Sequence, residues 1–413
     1  MLSEKEIFRD VPVYLIGTFL LLLPFGRLAE IPIGIMAALG LVILVSRPQI
    51  LRHPVSRNFT LLFALFWLPI VLSLIGAVNF ERTLSVAFSF IRLWLMGLYI
   101  SVTISENIVR QRFLLKIFSF LLAFWVVDAL FQFAVGFNSF GFRSDPQALN
   151  GLFGEDHPKL GVYLAVFSPI LFVYAYRNWS PLFHVLTILS ASTVVFLAGR
   201  RGGWIMLAVV LVGFSGWLIW GERKKILRWI AIAGLLICLS VSTLYLFFPS
   251  FTERVDQSMM IFSGDRDAID MAISYRLPIW TTAVRMIEEN YFNGVGARGF
   301  RYAYRDYADK GDIFIADEKS LGATYAHQMI LDVLSETGIV GILCLSIACG
   351  FIIVLWKKSS DYSKKMSIAY FLSLLAIFFP LNTHYATYSS IWSSVILFMI
   401  CLFCSATELK NQA

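Results

Sequence analysis

Long apolar runs separated by short polar turns are the feature that most limits the folds open to this 413-residue chain. A helix that crosses a bilayer needs about 20 apolar residues. We find twelve such runs, at about 11–26, 31–46, 59–78, 84–103, 113–137, 158–176, 181–198, 202–220, 226–249, 338–356, 366–380 and 389–406. The sequence therefore predicts an all-α polytopic membrane protein with about 12 transmembrane helices, although the shortest runs leave ten or eleven open.

The composition excludes several other classes of protein. Hydrophobic residues make up 58% of the chain and charged residues 15%, against roughly 25% charged in a typical soluble domain. A disordered chain, a fibrous repeat and a soluble multidomain enzyme are therefore excluded. The net charge of +7 does not indicate a nucleic-acid partner, because a basic excess in membrane proteins usually lies in cytoplasmic loops. The five cysteines all lie in apolar runs, which predicts no disulfide framework.

Basic residues concentrate in alternate loops, such as 47–57, 110–116, 223–228 and 357–365. By the positive-inside rule these loops, and both chain termini, are predicted to be cytoplasmic. We expect no cleaved signal peptide, because a second apolar run follows the first at once. The opposite side carries one long, net acidic segment. The predicted organisation is helices 1–9 in residues 1–249, a partly helical periplasmic loop in 250–326, and helices 10–12 in 327–413.

Two arginines break the charge pattern on the side where basic residues are otherwise few. Arg200 and Arg201 lie in "LAGRRGGW", between the seventh and eighth runs. The planar guanidinium binds phosphate through two parallel hydrogen bonds, which favours an anion-binding site. The alternative is a pair that only reaches from the helix ends to the membrane surface.

Two further segments place polar chemistry on the same side. "AHQMILDVLSETGIVG" carries His327 into the tenth run, with Asp332 and Glu336 four residues apart on another helical face. Alone, a histidine at a membrane boundary is more often structural. "GLFGEDHPKLGVYLA" carries Glu155 and His157, for which a loop with Pro158 starting a helix is an equal alternative.

Other charged residues favour structural interpretations. Arg92 and Asp128 lie at similar depth in neighbouring runs, and charges inside a membrane are usually paired. We therefore predict that they form a buried ion pair. The triplet Asp265-Arg266-Asp267 matches the metal-binding triplet of many nucleotide-sugar glycosyltransferases. A match of three residues is weak, so we predict no metal site.

Taken together, these segments resemble the O-antigen ligase and polymerase superfamily of the bacterial envelope. "HQ", nine residues and "GIVG" match its His-Asn/Ser/Gln, nine residues, Gly-x-x-Gly pattern. "AGRRGG" resembles its Ser-Arg-Gly turn, with Arg201 at the arginine position. "YRLPIWTTAVRMIEENYFNGVGARGF" is similar to the segment with the second family arginine, here Arg276. "GLFGEDHPKLGVYLA" resembles its Phe-Gly-x₅-Leu-x₂-Tyr-Leu stretch.

The resemblance implies a GT-C-like fold and a glycosyltransferase of the bacterial inner membrane with a periplasmic active site and no cofactor. The implied donor is O-antigen on undecaprenyl diphosphate, and the acceptor of a ligase is the lipid A–core oligosaccharide. The implied catalytic residues are Arg201, Arg276 and His327. The implied substrate-binding residues are Arg200, His157, Glu155, Arg298 and Gln328.

The residue types suit this chemistry. Arginines aimed at the leaving diphosphate stabilise its growing charge without a metal. A histidine of near-neutral pKa can deprotonate or orient the acceptor hydroxyl. An O-antigen polymerase and a protein O-oligosaccharyltransferase would share the donor and the arginines, so they remain alternatives. A secondary transporter is the alternative from another class, but we find no repeat between the two halves of the sequence.

Overall fold

A computed structural model describes residues 4–105, 107–144, 148–154, 159–221, 223–317, 320–383 and 386–409. Within these ranges the chain forms sixteen α-helices and no β-strand, so the all-α prediction is confirmed. The helices are α1 (Glu4–Leu22), α2 (Glu30–Ser46), α3 (Pro54–Leu72), α4 (Phe80–Ile104), α5 (Ile108–Val135), α6 (Leu160–Asn178), α7 (Pro181–Leu197), α8 (Arg201–Gly221), α9 (Arg223–Phe247), α10 (Pro249–Met259), α11 (Arg266–Ala272), α12 (Leu277–Glu289), α13 (Phe300–Tyr307), α14 (Met329–Lys358), α15 (Asp361–Ile377) and α16 (Ser390–Thr407).

Each apolar run of the sequence falls on one of helices α1–α9 and α14–α16. In the described residues, eight helical stretches are long and apolar enough to cross a membrane. One of them, Asp10–Ser46, contains both α1 and α2, which meet at a break beside Gly26. A ninth would be the pair Gly234–Phe247 and Pro249–Phe262, bent by 105°. The chain is therefore a polytopic membrane protein, and the count of 12 spans stays a prediction.

Helices α6 and α16 form the centre of the bundle. Nearly every residue of α16 is buried, and so is α6 up to its last turn, where Tyr176, Arg177 and Asn178 are exposed. Helix α6 packs against α5, α7, α8 and α15, and α16 packs against α3, α4 and α15. Helices α2 and α4 approach each other very closely at Gly40 of α2, which has no side chain. A Cβ at this position would lie 2.0 Å from the Leu95 carbonyl oxygen of α4. This contact explains why α2 and α4 run tightly together.

Residues 249–317 and 320–328 cover one end of the bundle, which we call the loop face. They contain the short helices α10–α13 and have a hydrophobic core of their own, separate from the main one. This core includes Ile279 and Met286 of α12, Phe300 and Tyr304 of α13, and Ala326. The loop face is therefore a packed structure that can hold side chains in fixed positions above the membrane helices.

Helix α14 is interrupted at Gly338, which has φ 63° and ψ −161°. The interruption leaves backbone groups that residues of the loop face satisfy: Ile339 N–H donates to the Tyr291 carbonyl (2.9 Å), and Val295 N–H donates to the Ser335 carbonyl (2.8 Å). A Cβ at Gly338 would lie 2.2 Å from the Phe292 carbonyl oxygen. Glycine at this position thus lets the loop face pack directly onto α14.

The predicted ion pair between Arg92 and Asp128 is wrong. Arg92 Nη1 lies 2.6 Å from Glu30 Oε2, and Arg92 Nη2 donates to the Ser390 hydroxyl at 2.6 Å. Asp128 instead accepts a hydrogen bond from Ser139 N–H at 2.9 Å. The physical reason is helix packing: α4 runs along α2 and α16 and contacts α5 far less, so a partner at equal depth on α5 is out of reach.

Candidate active site

Four segments bring arginines and a histidine together at the loop face. Arg200 directly precedes α8 and Arg201 begins it, Arg276 directly precedes α12, Arg298 lies between α12 and α13, and His327 lies two residues before α14. Tyr325 lies among them: burial, and then Asp332, raise the pKa of its hydroxyl to about 12, whereas Arg276, Arg298 and Arg200 oppose this rise. Arg276 also lies close enough to His327 to help lower the pKa of its imidazole. Residues more than a hundred positions apart in sequence therefore form one site.

Backbone strain is concentrated in this site. Among the described residues, the non-glycine residues with φ in the left-handed region are Ser274 (65°), Tyr275 (57°), Arg298 (61°) and His327 (52°). Two of them directly precede Arg276, and the other two are site residues themselves. Such conformations cost on the order of 1–3 kcal/mol each and cluster at functional sites, where surrounding contacts hold them.

Three arginines of the site lack protein partners for part or all of their guanidinium groups. The Arg200 Nε is buried without a hydrogen-bond partner, and so are Nε and Nη1 of Arg298. Arg276 forms no ion pair with any acid in the described part of the chain. Burial lowers the pKa of Arg276, Tyr325 opposes this, and Arg200 lowers it further by repulsion. Guanidinium groups left in this way are prepared to bind an anion.

Arg201 differs from these three because its hydrogen bonds are with the protein. Its guanidinium donates to the Ala272 carbonyl, to the Ser274 hydroxyl at 3.3 Å and to Gln257 Oε1 at 2.6 Å. These contacts hold the strained turn that leads into Arg276. Asp270 supports the same turn, since its carboxylate accepts a hydrogen bond from Leu277 N–H at 2.9 Å. Arg201 thus positions Arg276.

His327 is held with one ring nitrogen unused. Its ring lies against Tyr325, with ring centroids 3.8 Å apart. Burial and the nearby Arg276 lower the pKa of His327 to about 4, although a hydrogen bond to the Thr383 backbone acts in the opposite direction. The imidazole is therefore uncharged at neutral pH. Its Nδ1 is buried without a hydrogen-bond partner, so it is free to accept a proton or a hydrogen bond from a substrate.

The entrance of α14 fixes the position of His327. Gln328 caps the helix, because its Oε1 accepts a hydrogen bond from Leu331 N–H at 2.7 Å. Its Nε2 donates to the Pro380 carbonyl at 2.9 Å, so both ends of this amide are engaged by the protein. Trp280 donates to the Ala326 carbonyl at 3.1 Å. The substrate-binding role predicted for Gln328 stays a prediction, and its contacts here position the histidine loop.

Two fully buried carboxylates lie behind the site. Asp332 Oδ2 accepts a hydrogen bond from Thr387 N–H at 2.8 Å, and Glu336 Oε2 accepts one from Arg298 N–H at 2.8 Å. The second bond holds the strained backbone of Arg298. Asp332, Glu336 and Tyr325 were not predicted as site residues. The sequence did hold a signal for the two acids, since they lie four residues apart in a helix that runs into an apolar segment. Acidic residues are costly inside a membrane and are normally functional there.

Two predicted residues, Glu155 and His157, lie outside the described residues. The triplet at 265–267 has a structural use: Asp265 Oδ2 accepts a hydrogen bond from Ala268 N–H at 2.9 Å and so caps α11. Among the described residues, no group of three or more His, Cys, Asp or Glu side chains is arranged to hold a metal ion.

The fold and the site define a polytopic α-helical membrane protein with an arginine-rich anion site beside an uncharged histidine. Residues 185–346 match the family model described as O-antigen ligase, and this range includes all five residues Arg200, Arg201, Arg276, Arg298 and His327. The resemblance to the O-antigen ligase family is therefore confirmed, and members of this family are glycosyltransferase-like enzymes. A search of curated proteins gave no match.

Proposed function

We propose that this protein is an O-antigen ligase, which transfers O-antigen polysaccharide from undecaprenyl diphosphate to the lipid A–core oligosaccharide. One observation carries the proposal: three incompletely paired arginines share a site with an uncharged histidine that has a free ring nitrogen and lies near Arg276. Such a site suits a reaction in which a diphosphate leaves and a hydroxyl loses a proton. The family match supports lipid-linked polysaccharides as the substrate class.

In the proposed reaction, the acceptor hydroxyl oxygen attacks the anomeric carbon of the donor sugar. The bond from that carbon to the diphosphate oxygen breaks, and the electron pair leaves with undecaprenyl diphosphate. Arg200 and Arg276 face this leaving group, with Arg298 beside them, and stabilise its increasing negative charge. Arg201 holds the turn that carries Arg276. The earlier assignment of Arg201 to direct contact with the diphosphate stays a prediction.

His327 accepts the proton of the attacking hydroxyl at Nδ1. A pKa of about 4 makes the free imidazole a weak base. Because Arg276 contributes to that low pKa, a diphosphate bound to Arg276 would offset its charge and raise the pKa of His327. Donor binding would thus strengthen the base only when it is needed. Displacement from one side by a single hydroxyl inverts the anomeric centre.

We further propose that the loop face is periplasmic, that both termini are cytoplasmic and that the membrane is the bacterial inner membrane. The basic loops at the opposite end of the bundle support this orientation through the positive-inside rule. Reporter fusions at the loop after α5 and at the chain termini would test it. A periplasmic signal from both termini would overturn the orientation.

The function is tested by reconstitution of the full chain in liposomes with a labelled undecaprenyl-diphosphate oligosaccharide and purified lipid A–core. We expect label on lipid A–core, and loss of this product in Arg276→Gln and His327→Ala. The matched control is Lys310→Gln, which removes an exposed cation of the same loop face and should leave transfer unchanged. Transfer that persists in EDTA would support the metal-free mechanism, and loss restored by Mg²⁺ would contradict it.

The same assay distinguishes the alternative functions. Extension of one lipid-linked oligosaccharide by another, without transfer to lipid A–core, would identify a polymerase. Transfer to a serine or threonine of an added protein acceptor would identify a protein O-oligosaccharyltransferase. Movement of the donor across the liposome membrane without any transfer would favour a transporter and overturn the proposal.

A further inference from the structure

A cavity of about 500 Å³ lies at the end of the bundle opposite the loop face. It is formed where α5 begins, α6 ends and α15 begins. Helix α6 runs from Leu160 to Asn178, so the cavity is roughly 27 Å along this helix from the loop-face end. None of the residues of the candidate active site lines it.

The charged side chains that line this cavity are all cationic, and the uncharged polar residues Asn178 and Tyr362 lie among them. Arg112, Lys116, Arg177 and Lys365 line it, and no acidic residue is among its described lining residues. Two of the cations are oriented by the protein: Arg112 donates to the Tyr362 hydroxyl at 3.4 Å, and Arg177 donates to the Lys365 carbonyl. Four positive charges around one cavity repel each other, so an anion in the cavity would stabilise the arrangement.

The cavity also continues into an apolar surface. Phe113, Leu115, Tyr174 and Met366 form the aromatic and apolar part of its lining. The ring of Tyr174 lies 6.2 Å from that of Phe120 on α5. From there, one face of α5 carries a row of exposed apolar side chains: Phe120 (53%), Phe124 (44%), Val127 (63%) and Phe131 (43%). The spacing of four, three and four residues puts them in line along the helix.

We infer that this cavity binds the phosphate headgroup of an anionic membrane lipid, whose acyl chain follows the exposed apolar face of α5. The four cations fit the phosphate, and the row that begins at Phe120 fits the chain. A free phosphate would contact only the cations, whereas a lipid would contact the cations with its headgroup and the row from Phe120 with its acyl chain. Basic pockets between transmembrane helices are known to take anionic lipid headgroups. The inference does not depend on the glycosyl transfer proposed for the loop face.

The test is native mass spectrometry of the purified full chain with phosphatidylglycerol, with phosphatidylcholine of the same acyl chains, and with glycerol phosphate. We expect preferential binding of phosphatidylglycerol. Each surface cation contributes about fivefold to the affinity for an anionic lipid, so Arg112→Gln/Lys116→Gln should weaken binding by roughly 30-fold. The matched control, Lys357→Gln/Lys358→Gln, removes two exposed cations from the same end of the bundle, outside the cavity. It should bind almost normally.

Three results would overturn the inference. Equal losses in both double variants would indicate general attraction by a basic surface. Equal binding of phosphatidylcholine would remove the role of the cations. Displacement of the lipid by glycerol phosphate at similar concentrations would identify a site for free phosphates.

Two further variants keep the test decisive. Phe120→Ser should weaken lipid binding without affecting glycerol phosphate, and an unchanged lipid affinity would contradict the acyl-chain path. If the Arg112/Lys116 variant is not monodisperse, Lys116→Gln alone is measured. Lys116 is exposed, so its loss should cost about fivefold in affinity without disturbing the fold. No loss would overturn the role of the cations.

Discussion

The two adjacent arginines at the start of α8 offer the sharpest test of the site, because the structure gives them different roles. Arg200 has a buried Nε without a partner and lies close to Arg276. Arg201 donates hydrogen bonds to Ala272, Ser274 and Gln257. We therefore expect Arg200→Gln to reduce catalysis without reducing stability, and Arg201→Gln to reduce both.

The magnitudes follow from the contacts. Arg200→Gln removes a donor aimed at the developing charge of the leaving group, which is typically worth about 10²–10³-fold in kcat. It breaks no side-chain hydrogen bond seen among the described residues and relieves repulsion with Arg276, so the free energy of unfolding should change by less than about 0.5 kcal/mol. Arg201→Gln loses three hydrogen bonds, each worth about 0.5–1.5 kcal/mol net. Because Arg201 is only partly buried, we expect a loss of about 2 kcal/mol.

The two variants are compared in the reconstituted transfer assay and by thermal unfolding in detergent. Lysine substitutions refine the comparison, because lysine keeps the charge but not the planar pair of donors. Arg200→Lys should stay impaired at normal stability. The reasoning is refuted if Arg200→Gln retains more than half of the wild-type rate, or if it lowers the unfolding temperature as much as Arg201→Gln does.

Three further outcomes follow from the site and the fold. Transfer requires the neutral form of His327, whose pKa is lowered to about 4, so kcat/KM should stay constant as the pH falls from 7 to 5 and decline below that. Because the bound diphosphate offsets the charge of Arg276, kcat should begin to fall at a higher pH than kcat/KM does. Profiles that fall at the same pH would contradict this effect of donor binding. Gly338→Ala should lower the unfolding temperature and transfer, since its Cβ would lie 2.2 Å from a carbonyl oxygen, whereas Gly350→Ala in the same helix has open space and serves as control. Arg92→Gln and Glu30→Gln should each destabilise the protein, and the double variant should cost less than their sum by about 0.5–3 kcal/mol; additive losses would show that the pair contributes nothing.

The helices and the main site residues could be predicted from the sequence because their signals are local. An apolar run of sufficient length must form a helix in a membrane, whatever surrounds it. The turn with Arg200 and Arg201 and the histidine at the entrance of α14 are recognisable from neighbouring residues alone. The break in α14 at Gly338 had no comparable local signal, because it depends on the loop face that fills it.

The assignment of roles within the site depended on contacts between distant segments. Arg200 and Arg201 are adjacent and of the same residue type, and only the positions of Gln257, Ala272 and Ser274 decide which guanidinium is engaged by the protein. Likewise, the partner of Arg92 is set by the contact of α4 with α2. The length of an apolar run determines that a segment is a helix, but the packing of helices side by side determines which charges meet. The reason is that electrostatic and hydrogen-bond energies depend on distances of a few ångströms between residues far apart in the chain.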